Sequence, residues 1–244
     1  MFTNDLIELV KKYEGFYSKP YYCPSGVLTI GYGHTKNVKK NDVITKETAN
    51  ELLYNDLLEN LRHVLKIGKK FNINQINSLT SFCFNCGSGN LAQLCKNRGV
   101  NTIGEKILLY NKSNNIVLIG LEKRRKSEYN LYFKNDTRND YIQALQTSIN
   151  LSYFTDLKVD GIIGKNTKKS INKYNLSKGS IGTYVIYIQY LLSLLNYKIE
   201  IDGIFGTETY QRIKQFQEKT NIKVDGVVGY ETISSLLNCI WQKL

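Results

Sequence analysis

The second half of the chain contains one short pattern three times, and this repeat limits the possible folds more than any other sequence feature. The pattern is Asp-Gly, two apolar residues, Gly, any two residues and Thr, at 160–167, 202–209 and 225–232. The Asp can accept backbone hydrogen bonds, and the first Gly can adopt a positive φ. The apolar pair can enter the core, and the Thr can support the start of a helix. Each copy therefore predicts a tight turn ahead of a helix.

Amphipathic segments precede the first two turns, and each has a central glutamine, Gln146 or Gln189. This order of helix, turn and helix resembles the peptidoglycan-binding repeat module, a small three-helix unit. The resemblance is fullest over 179–238, whereas 141–176 resembles a shorter, partial copy. It implies that this half of the chain binds the bacterial cell wall. One carboxylate per turn is too few for a calcium loop.

Aromatic residues in this half are candidates for stacking on wall sugars, with helix packing as the alternative. They are Tyr184, Tyr187, Tyr190 and Tyr210. The sequence does not identify the residues that bind substrate.

A helix is predicted at the N-terminal end, where apolar residues recur at helical spacing up to Tyr13. Asp5 is the expected cap of this helix and Gly15 its stop, which leaves Glu14 as the last helical residue. Because the C-terminal end of a helix carries partial negative charge, we expect Glu14 to hold a proton more readily than a solvated carboxylate. Such a group suits general acid catalysis near neutral pH.

Aromatic and β-branched residues follow Gly15 on both sides of Pro24-Ser25-Gly26, which predicts a β-hairpin. Cys23 and Thr29 lie on opposite sides of this turn. We expect their side chains to line one wall of a cleft beneath Glu14.

The spacing E-x8-C-x5-T, continuing into the run TIGYGHT at 29–35, resembles the signature of phage-type lysozymes, the endolysins of glycoside hydrolase family 24. Two further blocks, at 75–87 and 120–128, are similar to the central helix and closing segment of that family. The resemblance covers roughly the first 134 residues.

The resemblance implies roles for three residues. Glu14 would protonate the glycosidic oxygen, while Thr29 and Cys23 would hold the water that attacks the opposite face of the sugar ring, which is the inverting geometry. Many family members have Asp where this chain has Cys23, although some have Cys. A thiol is a weaker acceptor than a carboxylate, so the means of activating the water stays open. Taken singly, each of the three residues is also compatible with a purely structural role.

Two further residues are expected to support the site. The resemblance implies that His34 orders the cleft by hydrogen bonding and that Arg124 pairs with the acid, with a solvated basic face as the alternative for Arg124. Neither the histidines nor the cysteines show zinc spacing, so no metal and no cofactor is predicted.

The composition indicates a globular chain of 244 residues with a net charge of +12. No nucleic-acid module is recognisable, and positive charge would steer a protein towards the polyanionic wall. There is no apolar stretch of transmembrane length and no signal-peptide core, so we expect synthesis in the host bacterial cytoplasm without an export signal and without membrane insertion. The odd count of five cysteines agrees with a reducing compartment. A monomer is expected.

The sequence thus predicts an α+β fold: a mostly helical lysozyme-like domain with a small hairpin sheet over 1–134, a linker at 135–140, and an all-α wall-binding module of three-helix type over 141–244. The expected function is hydrolysis of the β-1,4 bond between N-acetylmuramic acid and N-acetylglucosamine in peptidoglycan. The alternatives are a lytic transglycosylase, which would form a 1,6-anhydro sugar, and a wall-binding protein with weak catalysis.

Overall fold

A computed structural model of the protein describes residues 1–23 and 26–243 and divides the chain into two units. One is Asp5–Asn135, called here the N-terminal unit. The other, called the C-terminal unit, joins Met1–Asn4 to Asp136–Leu244. Pro24 and Ser25 of the predicted turn lie outside the described residues.

The N-terminal unit is mostly helical. Its elements are α1 (Asn4–Glu14), β1 (Tyr17–Tyr22), β2 (Leu28–Gly31), α2 (Lys46–Leu65), α3 (Ile73–Cys95), α4 (Val100–Lys106), a 3-10 turn (Ile107–Leu109), β3 (Lys112–Ser113), β4 (Ile116–Val117) and α5 (Ile119–Tyr132). Helix α1 begins one residue before the first residue of the unit, Asp5. Since α1 begins at Asn4, Asp5 lies in its first turn and is not its cap, which corrects the expectation. Gly15 ends the helix with a φ of 69°.

Helix α3 forms the centre of this unit and packs against α2 and α5. It begins with a capping box, in which the Asn72 side chain accepts from the Gln75 backbone and the Gln75 side chain accepts from the Asn72 backbone. Its buried residues include the small polar side chains of Ser78, Thr80 and Ser81 beside apolar ones, so that neighbouring helices can approach closely. The chain kinks at Gly87, whose φ of 82° is not helical.

The predicted hairpin is present. Strands β1 and β2 pair antiparallel, with Tyr17 opposite Gly31, Tyr21 opposite Thr29 and Tyr22 opposite Leu28, and with an irregularity between the first two pairs. The pairing extends to Cys23, whose backbone N–H donates to the Val27 carbonyl at 3.0 Å. The two small sheets and the helices of the described residues confirm the α+β class.

The C-terminal unit consists of helices joined by the predicted turns. The helices are α6 (Arg138–Tyr153), α7 (Lys165–Lys173), α8 (Thr183–Leu194), α9 (Thr207–Lys219) and α10 (Tyr230–Trp241). Since α6 begins at Arg138, the last residues of the segment expected to be a linker form the first turn of a helix.

One hydrogen-bonded network occurs three times in this unit. Gln189 of α8 donates to Asp202 at 2.8 Å and accepts from the Gly203 N–H at 2.8 Å, and it also donates to Thr209 at 3.1 Å. Gln146 and Gln217 make the equivalent bonds to the first and third turns. The segment expected to be a partial copy therefore has the same turn construction as the other two.

The buried residues of the C-terminal unit bear on two expectations. The apolar pair of each turn is only partly in the core, because Ile162 and Ile204 are exposed, whereas Phe205 and Val228 are fully buried. Of the two roles left open for the aromatic candidates, helix packing is confirmed for Tyr184, Tyr187 and Tyr190, which are buried between the helices. Tyr210 is half-buried.

The first residues of the chain belong to the C-terminal unit, which the sequence did not indicate. Met1 and Phe2 are fully buried. Thr147 of α6 donates to the Phe2 carbonyl at 2.9 Å, and the Asn4 side chain donates to the Val159 carbonyl at 2.9 Å. The C-terminal unit is thus built from two separate parts of the chain.

Candidate active site

Glu14 ends α1 and forms an ion pair with Arg124 of α5. Nη1 of Arg124 donates to Oε1 of Glu14, and the Arg124 side chain is almost fully buried while 19% of the Glu14 side chain is exposed. A carboxyl group that is anchored on one side and open to solvent on the other can reach a bound substrate. The structure thus brings together the two residues that the family resemblance paired.

A second carboxyl group, that of Glu128, also contacts Arg124. Glu128 is fully buried one helical turn after Arg124, whose Nε lies 3.3 Å from its Oε1. Ser81 of α3 donates to the same oxygen at 2.7 Å, and Arg125 approaches the other carboxylate oxygen at 2.8 Å. Burial raises the pKa of Glu128, while Arg125, Arg124 and Ser81 act in the opposite direction. Arg124 thus contacts both Glu14 and Glu128, and Arg125 contacts Glu128 as well.

Tyr13 attaches the end of α1 to α5. Its hydroxyl donates to the Lys123 carbonyl at 2.9 Å and lies 2.8 Å from the Ser127 hydroxyl. The Arg124 guanidinium carbon lies 5.8 Å from the centre of the Tyr13 ring. These contacts place the residue before Glu14 firmly and so limit the positions that the carboxyl group can adopt.

Thr29 and Cys23 lie on the hairpin next to α1. Because Thr29 pairs with Tyr21 and side chains alternate between faces, the register places Cys23 on the same face as Thr29, in the diagonal position. Thr29 is buried, and its hydroxyl donates to the Val27 carbonyl at 3.0 Å.

Electrostatics links this face of the hairpin to the acid. Burial raises the pKa of Tyr21, and the neighbouring ionisable groups Tyr17, Glu14 and Cys23 raise it further. Tyr21 lies on the same hairpin face as Cys23 and Thr29, and Glu14 is among the charges that act on it.

The loop after β2 runs beside Glu14. A Cβ at Gly33 would lie 3.4 Å from Oε2 of Glu14 and 3.6 Å from the Phe84 ring, so the backbone runs beside the carboxylate. His34 Nδ1 lies 2.9 Å from Asp56 of α2, and Nε2 lies 2.9 Å from the Lys36 carbonyl. His34 thus fastens the loop to α2.

Sequence reasoning assigned no role to several of these residues. Ser81 and Asp56 contribute through contacts with Glu128 and His34, which are distant in the chain, so no local spacing displays them. Arg125 lies three residues before Glu128 on α5. Glu128 was visible only as part of a family block. Within residues 1–23 and 26–243, no three His, Cys, Asp or Glu side chains are grouped as a metal ion would require. None of the described helices is both long and apolar enough to cross a membrane.

A helical α+β unit with a carboxyl group at a helix end, a buried arginine behind it and a hairpin beside it defines the lysozyme-like class of fold. Comparison with known proteins agrees. Residues 11–128 match the family model described as phage lysozyme, and residues 182–236 match the model described as putative peptidoglycan binding domain.

Individual relatives give the same result. The SAR-endolysin of Haemophilus phage HP1 (strain HP1c1) is 34% identical over 140 residues, which are 50% of this chain and 75% of that protein. The endolysin of Bacillus phage B103 is 33% identical over 142 residues, 54% of each chain, so this chain spans about half of that relative's length. Among solved structures, the muramidase domain of SpmX from Asticaccaulis excentricus matches with a TM-score of 0.52 and 30% identity, over 55% of this chain and 99% of that one.

The chain belongs to the phage lysozyme family, and it carries a peptidoglycan-binding domain of the repeat type in its C-terminal unit. Both resemblances that the sequence motifs indicated are thereby confirmed.

Proposed function

We propose that the protein is an endolysin, a lysozyme that hydrolyses the β-1,4 bond between N-acetylmuramic acid and N-acetylglucosamine in bacterial peptidoglycan. The observation that carries the proposal is the Glu14–Arg124 pair beside the hairpin that bears Thr29 and Cys23. Family membership supports it, since the relatives are named as endolysins and as a muramidase domain.

In the proposed reaction Glu14 is the general acid. It gives its proton to the glycosidic oxygen as the bond to the sugar carbon breaks, and a water molecule attacks that carbon from the opposite face. The proton that this water loses passes to solvent, from which Glu14 is protonated again before the next turnover. Arg124 orients the carboxyl group through one oxygen, which leaves the other, Oε2, on the side of Gly33. Arg124 therefore acts by positioning the acid and does not itself contact the reacting atoms.

Thr29 and Cys23 hold the attacking water in this mechanism. Because the Thr29 hydroxyl hydrogen is directed to the Val27 carbonyl, the lone pairs of its oxygen remain to accept a hydrogen bond from water. Cys23, diagonal to Thr29 on the same hairpin face, adds a weak sulfur acceptor. A water held between these groups and the sugar gives an inverted anomer as the first product.

Product analysis of digested peptidoglycan tests the proposal. Purified sacculi are incubated with the protein, and the released fragments are analysed by mass spectrometry and by NMR of the first anomer formed. Hydrolysis gives reducing N-acetylmuramic acid ends, whereas a lytic transglycosylase gives 1,6-anhydro ends that are lighter by one water. If no fragments were released, the protein would be a wall-binding protein without this activity. If the fragments had anhydro ends, the reaction would be that of a lytic transglycosylase and not hydrolysis.

We further propose a division of labour in which the N-terminal unit cleaves the wall and the C-terminal unit holds the enzyme on it. Tethering raises the effective concentration of a catalytic domain at its polymer. The protein would act as a monomer made in the host cytoplasm and reach the wall on release, without nucleic acid or membrane insertion. Light scattering and co-sedimentation with purified sacculi test the oligomeric state and the wall binding.

A further inference from the structure

The C-terminal unit contains two clefts at equivalent places in its repeat. The first, of about 580 Å³, lies between the first turn and α7, and the second, of about 720 Å³, lies beside α10. When the copies are superposed through Asp160 and Asp225 of their turns, Thr155 and Leu157 of the first cleft correspond to Thr220 and Ile222 of the second. The cleft therefore occurs in at least two of the three copies of the repeat.

The linings of the two clefts differ in charge. The first cleft has Lys165, Lys169 and Lys173 of α7, together with Lys158 of the preceding loop, and all four side chains are exposed. The equivalents of the three α7 lysines in the second cleft are Tyr230, Ser234 and Asn238, and those in α9 are Thr207, Gln211 and Gln215. At these three helix positions the positive charge is thus confined to the first copy and is not required by the repeat. The loop lysine, Lys158, does have an equivalent, Lys223, which pairs with Asp225 at 3.2 Å.

One helix position next to these lysines gains a carboxylate in the other two copies. Asn166 of the first cleft is replaced by Glu231 in the second and by Glu208 in α9. Two carboxylates, Asp156 and Asp160, also line the first cleft, but Asp160 is bound to Gln146 and to the Ile162 N–H. Four lysines against two aspartates leave the first cleft positive, whereas the second has only a carboxylate.

The three lysines of α7 form a row. They are four residues apart, so they lie on one face of the helix, with about 6 Å of axial rise between neighbours. A row of this kind matches a chain that carries an anionic group at regular intervals. Lysine ammonium groups act as point charges that suit phosphate, whereas the planar, paired recognition of carboxylates favours arginine, and no arginine lines the cleft.

The aromatic residue of the cleft argues against nucleic acid as the ligand. Tyr174 is stacked on Tyr153 with ring centres 4.2 Å apart, and Lys173 Nζ lies 4.8 Å from the Tyr174 ring centre. The ring is therefore engaged within the protein and does not offer the open face on which a base would stack. The cleft combines positive charges with no stacking platform.

We propose that the cleft formed by Lys158, Lys165, Lys169 and Lys173 binds an anionic phosphodiester polymer without bases, of the polyol-phosphate kind carried on bacterial surfaces. The proposal rests on the wall-binding function proposed above and adds a second ligand to it. The first copy would hold the anionic polymer, while the region matched by the peptidoglycan-binding model, 182–236, would serve the peptidoglycan.

Binding of the full chain to purified poly(glycerol phosphate) tests this assignment. The variant Lys165→Gln/Lys169→Gln/Lys173→Gln is compared with Lys178→Gln/Lys198→Gln/Lys219→Gln, which removes the same charge from exposed lysines of the same unit outside the cleft. We expect the cleft variant to lose about tenfold in affinity and the control variant to stay within about twofold, at moderate salt. Equal losses in both variants, or none in either, would overturn the proposal.

Two further arms separate the ligand classes. Sacculi stripped of phosphodiester polymers by acid should bind the parent and the cleft variant equally, whereas a selective loss by the cleft variant would make peptidoglycan the ligand and overturn the proposal. Single-stranded DNA that competed as strongly as poly(glycerol phosphate), through the same lysines, would also overturn it. Cleavage of soluble wall fragments by each variant reports separately on the proposed lysozyme function.

Discussion

Arg124 donates a hydrogen bond to Glu14, a residue 110 positions earlier in the chain. The contact joins α5 to the end of α1 and gives the carboxyl group a fixed neighbour. Because Arg124 is itself held by the buried Glu128, the position of the acid depends on a network that reaches into α3.

The first prediction concerns Glu14. Glu14→Gln removes the proposed proton donor but keeps the size of the side chain and an acceptor for Arg124. We expect the rate of peptidoglycan cleavage to fall by at least about 100-fold, with thermal stability and wall binding retained. Glu8→Gln, an exposed position on the same helix, is the matched control and should retain its rate. Near-normal lysis by Glu14→Gln would remove the assignment of this residue as the acid.

The second prediction concerns the water-holding role of Cys23. Cys23→Asp supplies a stronger acceptor and should keep the activity or increase it, whereas Cys23→Ala removes the acceptor and should lower the rate. Turnover of soluble wall fragments by the two variants measures the difference. Cys239→Ala, in the C-terminal unit, controls for loss of a thiol. If Cys23→Ala were as active as the parent, Cys23 would only fill space in the hairpin.

The third prediction addresses the charge network behind the acid. Glu128→Gln leaves Arg125 buried without its carboxylate, which we expect to cost about 3 kcal/mol of the free energy of unfolding. Glu122→Gln, an exposed change on the same helix, should have almost no effect. Denaturant unfolding of both variants checks the prediction. An unchanged stability in Glu128→Gln would mean that burial of the carboxylate offsets its attraction to the arginines.

The fourth prediction uses the backbone beside the carboxylate. Gly33 has a φ of 93°, so Gly33→Ala should cost about 1–2 kcal/mol and displace the loop next to Oε2 of Glu14, which lowers the cleavage rate. Gly89→Ala in α3 is the control, because its Cβ would meet no atom within 4 Å. That change should leave activity intact and favour the helix slightly. Full activity in Gly33→Ala would show that the loop tolerates the shift.

The fifth prediction concerns the repeated turn network. Gln189→Met leaves the buried Gly203 N–H without its acceptor and removes the donor to Asp202 and Thr209. We expect the C-terminal unit to lose about 3 kcal/mol of its free energy of unfolding, which calorimetry measures, and to bind sacculi more weakly. Gln211→Met, at an exposed position of α9, should have neither effect. Equal stability of the two variants would contradict the structural role given to the glutamine.

Local chemistry made much of the fold predictable. The stop at Gly15, the hairpin around Cys23 and Thr29, and the turns at Gly161, Gly203 and Gly226 all follow from glycine conformation and short-range patterning. The pairing of Arg124 with Glu14 came only from the family resemblance. The structure places the positive charge of Arg124 beside the carboxyl group of Glu14, and the position of Glu14 at the end of a helix does not indicate this neighbour.

Contacts between distant segments were beyond the reach of the sequence. Ser81 is an ordinary small residue in a helical pattern, and only the packing of α3 against α5 turns it into a partner of Glu128. Tyrosine is a residue type expected on a sugar-binding surface, yet Tyr184 and Tyr187 are surrounded by the helices of the C-terminal unit. Which face of a helix is covered depends on its neighbours, and the spacing of one segment does not specify them.

The placement of Met1–Asn4 makes the N-terminal unit an insertion within the sequence of the C-terminal unit. A protease that cut the chain once, between Asn135 and Thr137, would therefore leave a nicked molecule whose first four residues still dock against α6 through Phe2 and Asn4. Release of the N-terminal unit would need a second cut after Asn4. The same insertion delays completion of the C-terminal unit during synthesis, because Met1–Asn4 is synthesised long before α6, the helix against which it packs.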